Sequence, residues 1–111
     1  MGKIVRIILD ELPHHPHHRL WKQLAERLSK ELGVPLEVIT EDYVFAIEHG
    51  ETDDLGMASL PQLFVELEGG RVELVLSRFP FDPATTNPDP EEAYKQAMRR
   101  IKELIGGAGE S

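Results

Sequence analysis

The chain has 111 residues, a net charge of −8 and an apolar share of 41%, which is enough to bury the core of one domain without a disulfide or a structural metal. It has no cysteine, and this excludes disulfides, thiolate metal sites and every cysteine nucleophile. No stretch approaches the roughly 18–20 apolar residues of a membrane span, and the start, MGKIVRIILDE, has too short an apolar run for a signal peptide, so a cytoplasmic location is expected.

Residues Lys3–Leu9 (KIVRIIL) are β-branched and almost wholly apolar, the pattern of a central strand covered on both faces. After the proline-containing loop LPHHPHH, apolar residues recur from Arg19 to Leu32 at three- and four-residue steps (Leu20, Trp21, Leu24, Ala25, Leu28, Leu32). They predict an amphipathic helix, stopped by Gly33 and Pro35. Leu36–Thr40 (LEVIT) then reads as a second strand, parallel to the first through a right-handed crossover.

DYVFAIEHG favours a short helix capped by Asp42 and ended by Gly50, although its Tyr, Val, Phe and Ile also suit a strand. Gln62–Leu67 and Val72–Ser77 alternate apolar and polar residues around EGGR, which predicts a β-hairpin. The proline-rich FPFDPATTNPDP is expected to be an extended connection. Asp89, Pro90, Glu91 and Glu92 open a last helix with a capping acid, a first-turn proline and first-turn acids. Its apolar face is Ala93, Tyr94, Ala97, Met98, Ile101, Leu104 and Ile105. One domain over residues 1–105 follows, with a flexible tail at 106–111.

The order β-α-β-(α)-β-β-α, with no strand after the last helix, matches an α/β fold with a mixed four-stranded sheet in the order 2-1-3-4. Two segments are similar to those of the thioredoxin-like superfamily. Leu55-Gly56-Met57-Ala58-Ser59-Leu60-Pro61-Gln62-Leu63 resembles the segment Tyr-Gly-Ile-Arg-Gly-Ile-Pro-Thr-Leu, which carries that family's cis-proline, here Pro61. Glu68-Gly69-Gly70-Arg71 resembles its Lys-Asn-Gly-Glu hairpin turn.

The resemblance spans roughly residues 3–105. It places His14-His15-Pro16-His17 where the family has Cys-Gly-Pro-Cys. A glutaredoxin-style register would instead overlay His15-Pro16-His17-His18. It also implies a partner-binding groove at His14, His15, Pro16, His17, Leu60 and Pro61, where an extended segment adds to the backbone beside Pro61.

Thiol–disulfide exchange needs a thiolate, so that activity is excluded, and no catalytic residue is expected. Four imidazoles in five residues suggest instead a divalent metal site. With a helix starting near Pro16, His14, His17 and His18 fall at three- and four-residue steps and would converge on Zn, Ni or Cu. Water, Asp10, Glu11 or His49 would complete such a site. The plainer alternative is exposed loop histidines, with a pH-responsive surface as another.

Ten acids and no Lys or Arg lie between residues 31 and 70. That distribution argues against a nucleic-acid partner and suits a solvated face. The leading expectation is a redox-inactive module that binds a protein partner at the Pro61 groove, with no cofactor. The competing expectations are a His-cluster metal protein and a cysteine-to-histidine remnant of a thiol–disulfide oxidoreductase.

Overall fold

In the computed structural model, which describes residues 3–106, the first apolar run forms strand β1 (Ile4–Glu11). It outruns its predicted end at Leu9 because Asp10 and Glu11 continue the parallel pairing with Ile39 and Thr40. Helix α1 (His18–Leu32) closes on Gly33 at a positive φ of 68°, a conformation glycine adopts without Cβ strain. Strand β2 (Leu36–Thr40) follows.

The ambiguous DYVFAIEHG is helix α2 (Tyr43–His49), with the Asp42 carboxylate accepting from the Phe45 N–H. That cap decides the segment against a strand. Strands β3 (Gln62–Leu67) and β4 (Val72–Leu76) form the hairpin, and helix α3 (Pro90–Leu104) ends the described chain. The tail expected from residue 106 lies, from 107 on, outside the described residues.

The sheet order is β2-β1-β3-β4, with β1–β2 parallel and the other two pairings antiparallel. Period-two alternation divides its residues between two faces. One face carries Ile7 and Leu9 of β1 and Leu63, Val65 and Leu67 of β3, and a register shift opposite Leu63 and Phe64 breaks the alternation in β4 so that both Val75 and Leu76 join this core. This face packs on Trp21, Leu24, Ala25 and Leu28 of α1 and on Ala93, Ala97 and Ile101 of α3. The other face is covered more thinly by the seven-residue α2. There Phe45 meets Phe64 edge to face at 5.0 Å, and Ala46, Ala58 and Leu60 form a small second cluster with Leu12.

Helix α3 starts as its residues dictate: the Asp89 carboxylate accepts from the Glu92 N–H at 3.1 Å, and Pro90 fills the first turn. Replacing Asp89 by Ala removes that bond. It should lower stability by about 1 kcal/mol, read as a shift in the urea midpoint at constant slope; an unchanged midpoint would refute the cap's contribution.

Residues 79–90 are not an extended connection but a closed loop. The Asp82 N–H donates to the Asn87 carbonyl at 2.8 Å, the Thr86 N–H to the Asp82 carbonyl at 2.7 Å, and the Asp89 N–H to the Pro80 carbonyl at 2.9 Å. The Asp82 side chain also accepts from the Ala84 N–H, the local bond by which Asp opens turns. These bonds draw the chain back on itself and pair Phe81 with Pro88.

Candidate functional site

The loop between β1 and α1 is built from successive tight turns. The His15 N–H donates to the Leu12 carbonyl at 2.9 Å, and the His18 N–H to the His15 carbonyl at 3.0 Å. Inside them the His17 N–H donates to His15 Nδ1 at 3.0 Å. That bond requires Nδ1 to be free of a proton, so the His15 ring is the neutral tautomer carrying its hydrogen on Nε2. Burial holds the His15 pKa below the usual imidazole value, and the neighbouring His17 and His18 push the same way. The loop conformation and the electrostatics thus favour the same protonation state.

From this loop the aromatic rings form a row. His15 and His17 lie with ring centroids 5.6 Å apart, and His17 meets Phe81 edge-on at 6.1 Å. Below them Trp21 meets Phe79 edge-on at 5.6 Å. The opposite wall is the segment entering β3, Ser59-Leu60-Pro61, in which the Leu60–Pro61 peptide bond is cis. Between the walls lies a cleft of about 420 Å³, lined also by Ser77 and Arg78. A volume of that size is in the range of small-ligand sites.

The cleft gathers five of the six groove residues expected from sequence. His15, Pro16, His17, Leu60 and Pro61 do line the cleft. His14 does not line it and is exposed on the outer turn. Trp21, on the apolar face of α1, is buried and also floors the cleft. Phe79 and Phe81, which no periodic pattern in the sequence singles out, also line it. The signal for them was Asp82-Pro83, a turn-opening pair that folds Phe81 back towards His17.

The expected convergence of His14, His17 and His18 on a metal is not what the loop builds. Among the described residues, no group of three or more His, Asp or Glu is placed to hold a metal ion. The local bonds explain this: His17 faces His15 and Phe81, while His18 turns towards β1, its Nε2 3.7 Å from Glu11 Oε1. His49, the other suggested ligand, packs at a tilt against Phe45, with ring centroids 4.7 Å apart.

Asp10 and Glu11 point to opposite sides of the sheet, as neighbours on a strand must. Glu11 accepts from the Thr40 hydroxyl at 2.8 Å and faces His18. Asp10 is fully buried. One oxygen accepts from the Asp42 N–H at 3.0 Å, and the other has no partner. Burial is the main reason its pKa rises from 3.8 to about 6; the nearby Asp42 charge adds to the rise, and the Asp42 N–H bond opposes it.

Beside Asp10 in the β1–β3 register sits Gln62, also buried. Its Nε2 donates to the carbonyls of Glu51 (3.0 Å) and Ser59 (2.8 Å), and its Oε1 accepts from the Glu51 N–H at 2.9 Å. This side chain ties the loop that carries Ser59 and Leu60 to the sheet, and so sets one wall of the cleft.

Among the described residues no helix is long and apolar enough to cross a membrane. Comparison of the chain with protein-family models, with curated proteins and with solved structures gave no match.

Proposed function

We propose that this chain is a redox-inactive, thioredoxin-like module that holds an extended, apolar-anchored segment of a protein partner. The order of elements and the sheet order β2-β1-β3-β4 support the thioredoxin-like reading, together with the segment Leu55–Leu63. The absence of cysteine removes thiol exchange but leaves the cleft. The observation that carries the proposal is the cleft itself. Trp21 and Phe79 make an apolar floor, and Phe81, although exposed over 55% of its surface, is held at the rim by His17 and the closed loop behind it.

An aromatic ring fixed at the edge of an apolar cleft gives binding area at little cost in side-chain freedom. Peptides selected from a random display library should carry an apolar anchor, and on binding they should shift the NMR signals of His15, His17 and Phe81. Phe81→Ser leaves the core untouched and should weaken them at least tenfold, a loss of about 1.4 kcal/mol. Selected peptides that shift signals elsewhere, or bind Phe81→Ser as tightly, would remove the basis of the proposal.

A further inference from the structure

The cleft does not end at Ser59 and Ser77. Those two residues and Arg78 are also walls of a second, smaller recess of about 100 Å³, so the two cavities lie side by side around the same three side chains. The recess is different in kind. Glu51 and Asp53 bring carboxylates to it, and Ser59 and Ser77 bring hydroxyls. A space of that size takes about three water molecules, each occupying about 30 Å³ in the liquid, or the charged head of one long side chain.

The bonds already made in the recess show what it lacks. Asp53 Oδ1 is committed to the N–H groups of Leu55 and Met57, at 2.9 and 3.0 Å, which fixes the carboxylate and leaves its second oxygen available. Glu51 Oε1 accepts from the Ser77 hydroxyl. The cation nearest to Glu51 is Arg78, 3.8 Å from Oε2 on a side chain 85% exposed, beyond hydrogen-bond distance. An exposed pair of that length contributes little and is readily displaced. The only other Lys or Arg between residues 31 and 94 is Arg71, which pairs with Glu73 in the hairpin.

We infer that the recess formed by Glu51, Asp53, Ser59 and Ser77 is a specificity pocket for a lysine or arginine of the bound segment, adjoining the apolar anchor site of the cleft. The inference rests on the proposed peptide-binding role and adds a requirement to it: the partner segment carries an apolar residue with a basic residue a short step along the chain. The contacts are charge-assisted hydrogen bonds from the ammonium or guanidinium to two carboxylates and two hydroxyls.

The test uses the full chain and blocked hexapeptides, each with one leucine and, one to three residues further on, a lysine, a norleucine or a glutamate. Binding is followed by calorimetry at fixed ionic strength. In the best spacing the lysine peptide should bind at least tenfold more tightly than its norleucine twin, with the glutamate peptide weakest. Glu51→Gln and Asp53→Asn keep the size of each side chain and its acceptor oxygen, and in the double variant that preference should fall below threefold while norleucine binding and thermal unfolding stay as in the parent. Equal binding of the lysine and norleucine peptides would overturn the pocket and leave the cleft standing. A lysine preference undiminished in the double variant would also overturn it, by placing the attraction elsewhere. If no leucine peptide binds, cleft and pocket fall together.

Discussion

Asp10→Asn should make the protein more stable at pH 8, by on the order of 2 kcal/mol, and should flatten part of its pH–stability profile. The carboxyl is fully buried, and its pKa stands raised from 3.8 to about 6 in the folded chain. Below pH 3.8 the group is protonated whether the chain is folded or not, so it adds no pH dependence there. Between pH 3.8 and 6 the unfolded chain gives up the proton while the folded chain keeps it, and stability falls as pH rises.

Above pH 6 both forms are ionised, and the folded state bears the whole cost of a buried charge, on the order of 3 kcal/mol. Asparagine removes the charge and keeps an oxygen for the Asp42 N–H. Its unpaired amide hydrogens return about 1 kcal/mol of that gain. Urea denaturation of both proteins from pH 4 to pH 8 should give a stability difference that grows with pH and levels off above about pH 6. A constant difference across that range would show that Asp10 does not titrate as its burial requires.

Gln62→Leu is expected to cost about 3 kcal/mol and to disable the cleft. The substitution leaves two carbonyls and one N–H without the side chain that now satisfies them, at about 1–3 kcal/mol for each group that stays buried. Glu51 and Ser59 are exposed residues, so the loop can swing outward and recover water, which keeps the total at the lower end. That movement carries Ser59 and Leu60 away from the cleft wall. The urea midpoint should therefore fall together with peptide affinity, whereas Phe81→Ser should lower affinity alone. Retention of full peptide affinity in Gln62→Leu would show that the loop is held by other contacts. Gly50 belongs to the same arrangement: a Cβ there would stand 2.2 Å from Gln62 Oε1 and 2.8 Å from the Ala46 carbonyl, so the glycine is required for space, not for backbone angle.

Much of this architecture is legible in the sequence because local chemistry and global packing agree. The alternation in β3 and β4, the Gly33 and Gly50 stops and the Asp42 and Asp89 caps each specify their element from within a few residues. Where reading failed, long-range partners decide. Asp10 looks like a strand-end acid until β3 places Gln62 beside it and the chain beyond β2 places the Asp42 N–H against it. Phe81 looks like one residue of a proline-rich tether until the Asp82 turn returns it to His17. Helical spacing suggested that His14, His17 and His18 would meet, but the loop up to His17 is a series of turns and only His18 belongs to α1. Spacing rules for a helix face do not apply across that boundary.

The hairpin turn offers one more consequence. β3 leaves the cleft at Gln62 and reaches Leu67 five residues later, a rise of about 17 Å, so Glu68–Arg71 lies at the far end of the sheet from both cavities. Gly69 and Gly70 hold φ values of 92° and 90° with open space around them. The turn is thus a natural attachment point: a fluorophore, an affinity handle or a second domain spliced there would be carried at the end of the sheet opposite the two cavities, leaving both open.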